Sequence, residues 1–200
     1  MAPATSKTAE RNTAAGLPAR ERLLAAANEL FYEEGVHTVG IDRVIERAGV
    51  AKASLYNTFG SKEELIRAYL AARHLARQER LASKLARFET PRERLLGVFD
   101  VLGELFAEPG FRGCAFANAS AEVTAGTAVK DVSDEARAWT RSLFVELATA
   151  AGAVDPASLA EQLVLLYDGA TVAAKMDRNP TAAVAARAVA AALVDAAITY

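Results

Sequence analysis

IDRVIERAGVAKASLYNTFG, residues 41 to 60, holds two short helical stretches either side of a turn at Gly49-Val50. Val44, Ile45, Ala48, Val50, Leu55 and Phe59 recur at helical spacing and form one small apolar cluster. A helix, a tight glycine-bearing turn and a second helix make a helix-turn-helix unit. Val39 and Val44 are placed to form a hydrophobic staple around a Gly40 N-cap. Such a unit cannot bury its apolar side alone. It needs the stripe Leu23, Leu24, Ala27, Leu30 and Phe31 before it and the stripe Leu65, Ile66, Tyr69 and Leu70 after it.

Winding the second helix at about 100° per residue turns Leu55 and Phe59 inward. Ala53 and Asn57 then point outward, flanked by Ser54 and Tyr56, with Lys52 and Thr58 at the margins. This face is short, uncrowded and able to hydrogen-bond, which suits entry into a DNA major groove. Asn57 fits an adenine edge and the Ala53 methyl a thymine methyl. Tyr56, Lys52 and Thr58 are placed to hold phosphates, which orient a protein without reading sequence. Lys62 adds a phosphate contact at the start of the next helix, and Arg43 either faces DNA from the preceding helix or is simply solvated.

The longer run GIDRVIERAGVAKASLYNTFGSKEELI, within residues 19–70, resembles the DNA-binding domain of the tetracycline-repressor (TetR) family of bacterial regulators. The resemblance rests on the Ala48-Gly49-Val50 turn, Leu55-Tyr56, Phe59 and the run Ser61 to Leu65. It implies a two-domain, all-helical homodimer whose C-terminal part binds a small effector. By position it also implies Lys52, Ala53, Ser54, Tyr56, Asn57, Thr58 and Lys62 as the residues facing DNA. Gly40 and Ala51 stand where many members carry a serine or threonine, and Thr58 stands where the family usually has a histidine or aromatic residue.

The rest of the chain is punctuated for helices, and no strand alternation appears. Thr90-Pro91-Arg92-Glu93 and Ser61-Lys62-Glu63-Glu64 read as capping boxes, and Asp155-Pro156 and Asn179-Pro180 as caps followed by proline. Stripes follow at Leu95, Phe99, Leu102 and Phe106; at Trp139, Leu143, Phe144 and Leu147; and at Leu159, Leu163, Leu166 and Tyr167. A last stripe joins Val184, Val189, Leu193 and Ala196. The expected fold is all-α with about nine helices. Its expected parts are a flexible tail over 1–17, a DNA-binding domain over 18–78 (motif about 40–59), and an effector-binding and dimerisation domain over 79–200. The alanine-rich final helices either pack internally or form the dimer seam.

Hydrophobic residues make up 52% of the chain, yet no 18-residue apolar run suggests a membrane span. Cys114 is the only cysteine, which precludes an intrachain disulfide and fits a reducing cytoplasm. The net charge of −2 is unlike the basic balance usual for a nucleic-acid binder. Its distribution differs between the two parts: residues 1–85 hold 13 of the 23 Lys and Arg against 10 of the 25 acids, and residues 86–200 hold 10 against 15. Lys7, Arg11 and Arg20 form either a minor-groove arm or a solvated tail.

An apolar effector pocket is expected from Phe99, Phe106, Phe111, Phe116, Trp139, Phe144, Tyr167 and Met176, although ordinary core is the simpler reading of each. Cys114 and Asn118, in FRGCAFANAS, add a polar handle, and Asp168 and Lys175 supply pocket polarity or form surface pairs. His37 and His74 have no partners at metal-ligand spacing, so no metal is expected. No phosphate loop or nucleophile elbow is present, so neither a cofactor nor catalysis is expected. The leading expectation is a cytoplasmic homodimeric repressor released from a near-palindromic operator by a small molecule. An activator or corepressor-dependent regulator of the same fold, and a helical scaffold that no longer reads DNA, remain as alternatives.

Overall fold

Side-chain caps open three of the described helices, at Ser61, Thr90 and Asp155. In the computed structural model, which describes residues 16–123 and 128–198, nine helices follow one another: α1 (Ala19–Glu34), α2 (Ile41–Ala48), α3 (Lys52–Phe59), α4 (Lys62–Leu85), α5 (Pro91–Phe106), α6 (Ala115–Glu122), α7 (Ala128–Ala150), α8 (Pro156–Asp177) and α9 (Ala182–Ala197). Among the described residues there is no strand, only an isolated backbone bridge between Ala153 and Ile198. Lys7, Arg11 and most of the expected tail lie outside the described residues.

Thr90 opens α5 with a full capping box: its hydroxyl accepts from Glu93 N–H at 3.1 Å, and the Glu93 carboxylate accepts from Thr90 N–H at 3.0 Å. Those bonds from Thr90 hold the Glu93 carboxyl below its ordinary range. Asp155 caps α8 by accepting from Ser158 N–H at 3.0 Å. Ser61 caps α4 through Glu64 N–H at 3.1 Å, but the Glu64 carboxylate turns to Arg67, so only half of that expected box forms. Asn179 does not open α9 directly. Its side chain accepts from Thr181 N–H at 3.0 Å, and the helix begins at Ala182.

Two clusters of buried side chains hold the molecule. The first joins α1 to α4 through Leu23, Phe31, Val44, Leu55, Leu65 and Tyr69, with Phe31 and Tyr69 edge to face at 5.7 Å. Val39 and Val44 are both buried in it around the extended Gly40, consistent with the staple. The second is built on α5, whose Leu95, Phe99, Leu102 and Phe106 meet α7, α8 and α9. Helix α4 contributes to both clusters, Leu65 to Leu70 in one and Leu81 and Leu85 in the other. Helix α6 carries Ala115, Phe116 and Ala119 into the first cluster.

Helix α9 sits in a different register from the expected stripe. Ala183, Ala186, Ala190 and Val194 face the core, while Val184 and Val189 are 69% and 50% exposed and Ala196 is also exposed. The cause is distance. Helix α9 packs so close to α5 that a Cβ placed on Gly103 would lie 3.3 Å from the Ala183 methyl, and only small side chains fit between them.

Candidate functional site

Gly49 sets the angle between α2 and α3. Its left-handed backbone (φ 62°, ψ 42°) lets its N–H reach back to the last carbonyls of α2, and its own carbonyl accepts from the Arg22 guanidinium of α1 at 2.5 Å. A residue with a Cβ is disfavoured in this conformation. Helix α3 then starts at Ala51, where no side chain caps it, and buries Leu55 completely. Phe59 is half-buried beneath the Arg20 guanidinium, 5.6 Å from its ring centre.

On the opposite face of α3, Lys52, Ala53, Tyr56, Asn57 and Thr58 are exposed and Ser54 is half-exposed. Tyr56 is 46% exposed, a large aromatic held in water. The Asn57 amide and the Tyr56 hydroxyl have no protein partner among the described residues. The Thr58 hydroxyl donates to the Ser54 carbonyl at 2.6 Å, which leaves only its lone pairs outward.

The cations around this face are less free than the sequence suggests. Lys52 pairs with Asp42 at 2.8 Å, both well exposed. Arg43 is turned back onto Glu34 of α1 in a two-pronged pair, so its fork faces the protein rather than outward. That pair lowers the Glu34 carboxyl and raises the Arg43 guanidinium from their ordinary values. The Lys62 ammonium is half-buried over the loop between α1 and α2, 3.4 Å from the His37 carbonyl, and its burial favours the neutral form.

A cleft of about 920 Å³ opens between α4, α6, α7 and α8. Cys114, Phe116, Tyr167 and Asp168, and Phe111 with them, line it. Asp168 does so as the partner of Arg137. The other expected pocket residues are used elsewhere. Phe99 and Phe144 are 6.0 Å apart in the core between α5 and α7, and Phe106 is buried against Phe111 at 4.9 Å. Helix α5 is enclosed by α4, α7, α8 and α9, so its aromatic rings fill core rather than face a cavity. Trp139 stands edge-on to His74 at 5.4 Å behind the cleft wall. Asn118 donates to the Arg112 carbonyl and accepts from Lys175 at 2.8 Å, outside the lining. Met176 is 75% exposed.

Composition-based reading missed Arg73, Arg77 and Arg80, which line the cleft from one face of α4. Their spacing of four and then three residues was the available signal. Helix α6 links the two regions. Its first turn lines the cleft, and the Glu122 carboxylate at its end accepts from His37 N–H at 2.7 Å, beside Lys62. A Cβ on Gly35 would lie 2.8 Å from that carboxylate, so the glycine makes room for it. Among the described residues no group of three or more His, Cys, Asp and Glu side chains is arranged to hold a metal. None of the described helices is long and apolar enough to cross a membrane.

A helix-turn-helix with an open polar second helix, carried on a helical body with a ligand-sized cleft, defines a DNA-binding transcriptional regulator. Two family descriptions match the chain: bacterial regulatory proteins of the tetR family over residues 23–69, and the tetracyclin repressor-like C-terminal domain over residues 91–190. The chain belongs to the TetR family and is a regulator, not an enzyme. The crystal structure of a TetR-family transcriptional regulator from Streptomyces coelicolor superposes with a TM-score of 0.85 at 31% identity, covering 90% of this chain and 96% of that one. The HTH-type transcriptional activator FasR of Mycolicibacterium smegmatis is 49% identical over 51 residues, 26% of this chain and 23% of FasR. The HTH-type transcriptional repressor NemR of Escherichia coli is 33% identical over 106 residues, 52% of this chain and 53% of NemR. The chain therefore matches about half or less of the length of these two curated relatives.

Proposed function

We propose that the chain is a cytoplasmic, homodimeric repressor that leaves a near-palindromic operator when a small molecule enters the cleft. The observation that carries this reading is the outward face of α3, where Ala53, Tyr56 and Asn57 stand exposed over the buried Leu55. Asn57 reads a base edge, and Tyr56, Ser54 and Lys52 position the helix on phosphates, Lys52 by leaving Asp42; Thr58 joins them only by turning its hydroxyl from the Ser54 carbonyl. Arg43 and Lys62 take part only by leaving Glu34 and the His37 carbonyl, so their contribution is smaller. On this reading residues 18–78 address DNA and residues 79–200 hold effector and partner.

Two copies are supported by the outer faces of α8 and α9. Leu165, Val172 and Met176 lie one above another on α8, more than half exposed, and Val184 and Val189 flank the outward Ala185, Ala188 and Ala192 of α9. A second copy covers such a surface without leaving apolar side chains in water. The effector acts by binding one arrangement of the two α3 helices better than the other. Helices α4 and α6 carry the change, since both reach from the cleft to the DNA-binding part.

Repression follows from occupancy alone: a dimer seated on a promoter excludes polymerase. FasR is an activator, but its likeness is confined to 51 residues and says nothing about sign. The test joins the DNA upstream of the chain's own gene to a reporter. Expression should rise when the chain is deleted and fall when it is restored. Expression that drops on deletion would make the chain an activator.

A further inference from the structure

The cleft is more basic than the chain around it. Arg73, Arg77 and Arg80 enter it from α4 and Lys130, Arg137 and Arg141 from α7, against Glu108, Asp134 and Asp168, in a chain of net charge −2. Each of these carboxylates already has a cation. Arg80 holds Glu108 at 2.5 Å, Lys130 holds Asp134 and Arg137 holds Asp168. Arg73, Arg77 and Arg141 have no carboxylate partner among the described residues.

Of these three, Arg77 is the most constrained. One of its Nη atoms donates to the Ala136 carbonyl at 2.9 Å and lies 3.3 Å from His74 Nδ1. Its guanidinium stands 5.0 Å from the Phe116 ring centre and 5.2 Å from that of Trp139. Its Nε is shut off from solvent, and the Tyr167 hydroxyl is a hydrogen-bond partner of its guanidinium. A guanidinium that lines a cleft, held by neutral acceptors and with no carboxylate beside it, is a site for an incoming anion.

Ser133, Thr140 and Thr171 each donate to the carbonyl four residues back in their own helix, so they have no proton left for an anion and the guanidinium groups are the donors that remain. Burial raises Tyr167 above its ordinary value, so its phenol keeps its proton beside Arg77. Burial and the nearby Arg77 lower His74 from its usual value, so no imidazolium charge is added to the Arg77 guanidinium at neutral pH. Leu102, Leu105, Phe111 and Phe116 supply apolar wall around these polar groups.

We infer that the cleft takes an organic acid, its carboxylate on Arg77 beside the Tyr167 hydroxyl and its aromatic or aliphatic body against Phe111, Phe116 and Leu102. This rests on the reading of the cleft as the effector site. Arg73, stacked 3.7 Å over the Tyr32 ring, and the exposed Arg141 draw the anion inward without fixing it.

Calorimetry on the DNA-free protein tests this with three probes of one shape: 2-naphthylacetate, 2-naphthylethanol and 2-naphthylethylamine. The acid should bind at least about tenfold more tightly than the alcohol, with the amine weakest. Arg77→Gln should abolish the preference for acid while leaving the alcohol unchanged. Arg77→Lys, which keeps the charge but loses the fork, should retain part of it. Thermal melts and circular dichroism check that each variant folds, and if neither does, the ranking on the unaltered chain decides. An alcohol or amine that binds as tightly as the acid would overturn the inference. So would an acid preference that survives Arg77→Gln in a folded protein, or an acid that fails to bind at millimolar concentration. Operator binding with and without 2-naphthylacetate separates the two readings: acid-selective binding that leaves DNA affinity unchanged keeps this inference and removes the switch.

Discussion

At the scale of single residues, the proposed function divides the face of α3 into one reader and several holders. Asn57 has an unpartnered amide, and an amide can meet both polar atoms of an adenine edge. Asn57→Ala should lose about 1–3 kcal/mol of discrimination at one base position while non-specific binding changes little. Fluorescence anisotropy on an operator and its single-base variants measures this, and a uniform loss on every sequence would make Asn57 a phosphate contact. His74 makes a second prediction. Burial, then the Arg77 charge, lower its pKa from 6.5 in the folded state. Between that lowered value and 6.5 the unfolded chain binds the extra proton, so this contribution to stability is complete above about pH 6.5 and shrinks as the pH falls below it. Melting temperatures between pH 7.5 and 5.5 should fall, and His74→Gln should flatten that slope. An equal slope in the variant would place the pH dependence elsewhere.

At the scale of elements, the turn between α2 and α3 does more than connect them. Gly49→Ala puts a Cβ on a left-handed residue and 2.7 Å from Arg22 Nη2, whose bond to the Gly49 carbonyl ties α1 to the turn. The variant should be destabilised by about 1–2 kcal/mol, read from denaturant midpoints, and should lose operator affinity as α3 shifts. Full affinity with full stability would show that the angle does not matter. This motif was legible in the sequence because its signals are local: Gly49, Leu55 and Phe59 each report on neighbours within a few positions. Helix α9 was misread for the opposite reason. In an alanine-rich helix pressed against α5 the small residues go inside, so Val184 and Val189 mark the outside. Helix α6 escaped the stripe reading because its eight residues, AFANASAE, carry one large apolar side chain.

At the scale of the whole molecule, the DNA-reading part could be read from the chain and the cleft could not. A cleft is made where helices distant in sequence fail to close on one another. Phe99 and Phe144 look no different in sequence from Phe111 and Phe116, and only packing sorts core from wall. The arginines were hidden because charged residues on a helix usually face water. The proposed dimer belongs to this scale too. Leu165→Glu with Met176→Glu, both exposed on α8, should convert the dimer to a folded monomer in light scattering and reduce operator affinity steeply. A variant that stays dimeric would move the seam elsewhere. The most direct measurement is selection of binding sites from random duplex DNA by the purified chain, repeated at two salt concentrations. An enriched inverted repeat, its half-sites about 34–36 Å apart or a multiple of that, is the predicted result. A single unpaired half-site, or no enrichment from a folded protein with and without 2-naphthylacetate, would contradict a dimer that reads DNA through α3.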